Sequence, residues 1–207
     1  DTDEVDRLIS TVSNGEMLSE RERSYNSVTK ERDMAIIYVF LGTGIRVSEL
    51  VGLNRNDINF PDSSFVVTRK GGNKSILYMP ADTLEMLKRY IAWLDDQIAE
   101  NTEFASKIKD HDALFYSLQG SRIGVRTVEK LVKKYASSAA PLKKITPHKL
   151  RSTYATNLYN ETEDIYVVAD VLGHSDVNTT KKHYAQMSEE HKKRAAEATH
   201  IGKRDKN

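Results

Sequence analysis

The apolar positions divide the chain into helical stretches around one short block of alternation. Val5, Leu8 and Ile9 recur at helical spacing and predict an amphipathic helix over residues 3–11. Residues 13–33 are polar and charge-rich, Glu20-Arg21-Glu22-Arg23 above all, and are expected to form a loop with some helix. Met34 through Leu41 is apolar on all sides. Glu31-Arg32-Asp33 leads into it without a turn, so it reads as the end of a buried helix. Gly42 and Gly44 are expected to end that helix, and a short one carrying Arg46, Glu49 and Leu50 follows.

The period changes at Asp57. Ile58–Phe60, Phe65–Arg69 and Ser75–Met79 are strand-like runs, separated by Pro61-Asp62-Ser63-Ser64 and by Lys70-Gly71-Gly72-Asn73-Lys74. Together they predict a small three-stranded antiparallel sheet inside a helical protein. Helical spacing then returns. Leu84, Leu87, Ile91, Leu94 and Ile98 mark a long helix; residues 101–112 read as loop and Leu114-Phe115-Tyr116 as a short extended piece. Val125, Val128, Leu131, Val132 and Tyr135 give a further helix. Thr146 is a candidate N-cap with Pro147 at the first helical position, opening the helix that carries His148 and Arg151. Ile165, Val168, Val171 and Leu172 form the next, closed by Gly173. One helix is expected through Tyr184, and a last one from Ser188 towards Ile201. The fold class is therefore mainly α, formally α+β.

Composition narrows this little. The 207 residues are 39% hydrophobic and 29% charged, enough for a soluble domain with a real core, and no apolar run approaches the roughly 20 residues of a membrane span. Cysteine is absent, which removes thiol chemistry and is compatible with a cytoplasmic setting. A net charge of +1 does not announce a nucleic-acid binder. Its distribution is more telling: from Arg122 to Arg151 the lysines and arginines face the single acid Glu129. Such a stretch is either a phosphate-binding surface or a solvated helix face.

Candidate chemistry lies at the connections. Arg46 follows a helix end and a glycine turn, and Glu49 lies three residues on, where it can hold the guanidinium; the pair alone equally describes a surface ion pair. Lys70 sits at a hairpin tip before two glycines, with Lys74 as a competitor in the same turn. His148 and Arg151, spaced i, i+3, project side by side. His174 follows the helix-ending Gly173, where it could also cap carbonyls. Tyr184 differs from most of the ten tyrosines in following a polar run, Thr179-Thr180-Lys181-Lys182-His183, so its hydroxyl faces solvent or substrate. Tyr154, one turn past Leu150, reads as packing. A phenol with a pKa of about 10 needs adjacent cations and a base to act as a nucleophile. Paired arginines grip phosphate oxygens in a fork geometry. Gly42-Thr43-Gly44 lacks the third glycine of a dinucleotide loop, and the histidines lack zinc-ligand spacing.

Taken together, Thr43-Gly44-Ile45-Arg46-Val47-Ser48-Glu49-Leu50, Lys70, His148-Lys149-Leu150-Arg151, Leu172-Gly173-His174 and Tyr184 ten residues later resemble the motif set of the tyrosine recombinase, or phage integrase, catalytic domain. The likeness covers nearly the whole chain, from about residue 1 to 200. It implies a site-specific recombinase that cleaves and rejoins double-stranded DNA through a 3′-phosphotyrosyl bond, with no cofactor or metal. Tyr184 would be the nucleophile, Arg46 and Arg151 the phosphate ligands, and Lys70 the acid at the leaving 5′-oxygen. His148 would assist proton transfer at the tyrosine, His174 would hydrogen-bond the phosphate, and Glu49 would orient the basic groups. A catalytic domain over 1–187, an exchange helix and tail over 188–207, and an N-terminal core-binding domain absent from this chain are expected. So are a homotetramer on DNA through the C-terminal helix and an isolated domain that is monomeric, with no membrane partner. Type IB topoisomerase-like relaxation and a non-catalytic DNA-binding module are the alternatives.

Overall fold

The computed structural model describes residues 2–69 and 71–173, together with Asn178. The helices are α1 (Thr2–Asn14), α2 (Glu20–Thr43), α3 (Val47–Val51), α4 (Ala81–Glu100), α5 (Thr102–Lys107), α6 (Val125–Ala139), α7 (Pro147–Thr162) and α8 (Ile165–Leu172). The strands β1 (Ile58–Asn59), β2 (Ser64–Thr68) and β3 (Lys74–Tyr78) lie between α3 and α4. They pair antiparallel in the order β1-β2-β3, with Phe65 opposite both Ile58 and Leu77. The expected sheet is present, each strand ending a residue or so earlier than its apolar run suggests. The helices expected on either side of the seventieth to eightieth residues and around His148 are present too.

The largest departure is α2. Residues 20–33, about its first four turns, belong to the charged stretch expected as a loop with some helix. Ser19 opens the helix with a capping box: its hydroxyl accepts the Glu22 N–H at 3.4 Å, and the Glu22 carboxylate accepts the Ser19 N–H at 3.0 Å. The buried face then runs through Asn26, Thr29 and Asp33 before Ile36 and Phe40 continue it. The helical period is intact, but polar residues fill its first inward positions, so a hydrophobic pattern does not register it. Gly42 is inside α2 rather than after it. A Cβ there would come within 2.2 Å of the Thr83 hydroxyl, so glycine lets α4 approach this closely.

Two smaller differences follow. Residues 102–107 form the short helix α5, capped by the Asn101 side chain, which accepts the Phe104 N–H at 2.9 Å. Ala113–Tyr116 is buried but makes only isolated bridges, to Asn54 and Arg122, instead of a strand.

The chain divides into two compact units. In the first, through Asn157, α2 packs on α4, α1 and α6, and α5 packs on α4. Tyr90 of α4 is buried at its centre; its ring stacks on Phe115 at 5.2 Å and its hydroxyl donates to the Leu114 carbonyl at 3.0 Å. The second unit begins at Leu158. Its described part is the end of α7 and α8, which starts on an Asp164 cap and ends on Gly173 at φ 60°. No helix among the described residues is long and apolar enough to cross a membrane.

Candidate functional site

Three guanidinium groups converge beneath the C-terminus of α2. Gly44 caps that helix in the left-handed region, φ 60°, and sends its N–H back to the Phe40 carbonyl at 3.1 Å. A Cβ at Gly44 would come within 2.3 Å of the Tyr154 ring, so glycine is required here by both conformation and space. Tyr154 packs, as its position predicts. The chain then turns through buried Ile45 and enters α3 with Arg46 as its extended N-cap.

Glu49 collects two of the three cations. Its carboxylate accepts the Arg46 backbone N–H at 3.0 Å and the Arg46 guanidinium at 2.8 Å. It also accepts Arg69 Nη1 at 3.2 Å on each oxygen. Burial pushes the Glu49 carboxyl up, but the Arg46 amide and guanidinium and the Arg69 charge outweigh it and hold it below its ordinary range. The third cation, Arg151 on α7, donates to the Gly44 carbonyl. Burial lowers its pKa to about 10, Arg46 and Arg69 add repulsion, and Glu49 opposes them. Arg151 therefore stays charged at neutral pH while buried, at an electrostatic cost. An anionic group whose negative charge grows during a reaction would relieve that cost.

The structure thus brings Arg46, Glu49 and Arg151 together. His148, one turn before Arg151, is exposed, and its carbonyl accepts the Ser152 hydroxyl at 3.0 Å. Thr146 caps α7 through its side chain, accepting the Lys149 N–H at 3.3 Å. Lys70, His174 and Tyr184 lie outside the described residues, as do the helices expected through Tyr184 and from Ser188.

Arg69 was not expected at the site. The signal was in the strand: Phe65 and Val67 point into the core, and Arg69 is the next inward position, a charge where alternation calls for an apolar side chain. Two cations of the basic stretch serve the scaffold. Arg122 donates to the carbonyls of Val51 and Leu53, to Asn54 and to Asp110. Lys134 lies over the Tyr135 ring at 3.9 Å. A groove of about 510 Å³ lined by Val5, Leu8, Ile145, Lys149 and Leu150 includes none of the clustered arginines.

Residues 1–191 match the Phage integrase family. A tyrosine recombinase XerC of Thermodesulfovibrio yellowstonii is 37% identical over 159 residues, 76% of this chain and 51% of that protein. A tyrosine recombinase XerS of Streptococcus pneumoniae is 36% identical over 180 residues, 86% of this chain and 48% of that protein. The chain spans about half the length of these curated relatives. Among solved structures, XerA recombinase superimposes with a TM-score of 0.69 at 27% identity, over 90% of this chain and 64% of that one. XerH site-specific recombinase, in a post-cleavage complex with palindromic difH, gives 0.72 at 22% identity over 93% and 51%, a likeness of fold.

Proposed function

The chain belongs to the phage integrase family, and we propose that it is the strand-cutting and rejoining part of a site-specific DNA recombinase. The observation that carries this is the Arg46–Glu49–Arg151 arrangement, in which Glu49 and Arg151 are buried, Arg46 is part-exposed, and Arg151 is held charged at a pKa of about 10. Fixed guanidinium groups stabilise the extra charge that a phosphate gains as it passes through a five-coordinate state. In this reading Arg46 and Arg151 hold the non-bridging oxygens and Glu49 keeps Arg46 oriented.

Tyr184 supplies the attacking oxygen. The phenolic O–P bond forms while the P–O5′ bond breaks. The phenol proton passes to His148, and Lys70 gives a proton to the departing 5′-oxygen. His174 hydrogen-bonds the phosphate. The diester energy is kept in the phosphotyrosine, so a 5′-hydroxyl from another strand reverses the step without a nucleotide or metal. The substrate is double-stranded DNA, and assembly on it is a homotetramer joined through the C-terminal helix, the isolated domain being monomeric. The catalytic domain extends over 1–187 and the exchange helix and tail over 188–207. A cytoplasmic setting follows from that substrate.

The test uses a duplex carrying the native recombination site with a nick beside the scissile phosphate, so that cleavage traps the adduct. The full-length protein is expected to give a denaturant-resistant protein–DNA band. Tyr184→Phe is expected to remove that band while DNA binding persists. Persistence of the band would show that another residue is the nucleophile. Relaxation of supercoils without recombinant joints would favour the topoisomerase alternative, and binding with no adduct the non-catalytic one.

A further inference from the structure

We propose that Arg69 is a positioning residue that ties the β2–β3 hairpin to the arginine cluster through Glu49, and so places the leaving-oxygen acid. This rests on the recombinase reading above. Arg69 is engaged by the protein on both sides: its side chain, 9% exposed against 35% for Arg46, ends on the same carboxylate as Arg46 does. Its backbone closes the hairpin, donating to the Asn73 carbonyl at 2.7 Å and accepting the Gly72 N–H at 3.0 Å. Gly71 and Gly72 have φ of 89° and 85°, and a Cβ at either would have no neighbour within 4 Å.

Arg69 is therefore a side-chain anchor at the end of β2's arm. Lys70 follows it directly in the chain, and successive Cα atoms are about 3.8 Å apart. The Glu49 carboxylate then serves two purposes at once. It orients Arg46 towards the phosphate and holds the hairpin that delivers Lys70 to the same phosphate. The contact adds no substrate-binding energy. It fixes geometry, and errors of about 1 Å in such geometry cost on the order of 100-fold in rate.

The experiment compares two nicked duplexes that differ in one atom, oxygen or sulfur, at the 5′ bridging position of the scissile phosphate. A thiolate leaves without a proton, so sulfur removes the need for the acid. In full-length protein, Arg69→Gln is expected to slow adduct formation roughly 100-fold on the oxygen duplex and to leave the sulfur duplex within about threefold of wild type, with DNA affinity unchanged. Arg69→Lys, which keeps a charge on Glu49, is expected to recover most of the oxygen rate, and it carries the comparison if Arg69→Gln does not fold. Equal losses on both duplexes, or no loss on either, would overturn the proposal. Wild-type protein that forms no adduct on either duplex would instead sink the recombinase reading beneath it.

Discussion

Two buried carboxylates, Asp33 and Glu49, each sit among cations, and only one of the two clusters is suited to chemistry. Around Asp33 the network closes on itself. Oδ1 accepts Arg32 Nε at 2.9 Å and Nη2 at 2.7 Å, while Oδ2 accepts the hydroxyls of Thr29 at 2.8 Å and Tyr135 at 2.7 Å, with Lys134 at 3.5 Å. The remaining donors end on protein too: Arg32 Nη1 on the Tyr116 carbonyl at 3.0 Å, and Asn26 on the Val12 carbonyl at 2.9 Å and Tyr135 at 3.0 Å. Burial pushes the Tyr135 phenol up and lowers the Lys134 ammonium, with Asp33 opposing the shift of the lysine. Around Glu49, two guanidiniums end on one carboxylate with a third, that of Arg151, close enough to feel their charge, and Arg46 opens its side chain to solvent. A buried ion pair is therefore no mark of function by itself. An excess of fixed positive charge with an open edge is.

Breaking the closed network gives the largest effect on stability. Asp33→Ala strands Arg32, Lys134 and the Tyr135 hydroxyl in the core, and is expected to cost about 3–5 kcal/mol in urea unfolding. Adduct formation per folded molecule should stay near wild type. A selective loss of cleavage in well-folded Asp33→Ala would erase the distinction between the two clusters.

Opening the other cluster should do the reverse. Arg151→Gln is expected to slow adduct formation roughly 10²–10³-fold, the loss typical of removing one donor to a transition-state oxygen. Its urea midpoint should be unchanged or higher. The sign follows from the pKa. Arg151 falls from the ordinary arginine range to about 10 in the folded state, so the unfolded chain holds the proton more tightly. The resulting cost, roughly 3 kcal/mol, is fully present below pH 10 and fades as pH rises towards the ordinary arginine range. A neutral glutamine removes that cost and loses the bond to the Gly44 carbonyl, and the two offset. A marked fall in the midpoint would mean that Arg151 stabilises the fold, as Arg32 does.

Gly44→Ala tests the turn that joins the two arginines. A methyl group there meets the Tyr154 ring at 2.3 Å and the chain stays at φ 60°, so a loss of about 2 kcal/mol is expected. The double variant with Tyr154→Ala should recover the steric part, giving a double-mutant coupling of about 1 kcal/mol. Additive losses would show that strain and not the ring sets the requirement.

The contrast also explains what the sequence made legible. Arg46, Glu49, His148 and Arg151 stood out because turn glycines, a proline start and short spacings mark where side chains leave a scaffold. The sheet was legible because Phe65 and Val67 alternate between turn signals. The first half of α2 was not, since Asn26, Thr29 and Asp33 occupy core positions that pattern reading expects to be apolar. Arg69 was missed for a related reason: it continues the inward face of β2 one residue past the strand's end, and its partner is twenty residues away in sequence. Short α5 had too few apolar positions to show a period. Polar residues that face inward are the common thread, because their partners come from elsewhere in the fold and leave no local trace.

The smallest effect separates Glu49 from a merely buried acid. Its folded-state pKa lies below the ordinary 4.5, because the Arg46 and Arg69 contacts outweigh burial. The sign is that of a depressed carboxyl: its stabilisation is complete above pH 4.5 and is lost as pH falls through the folded value. Glu49→Gln lacks the charge at every pH and leaves the guanidiniums repelling one another. It should therefore be less stable than wild type at pH 7, with the gap narrowing in urea titrations as pH drops below 4.5. A gap that stays constant through that range would mean that Glu49 acts by shape and hydrogen bonding alone. Its charge would then not be what holds Arg46 and Arg69 side by side.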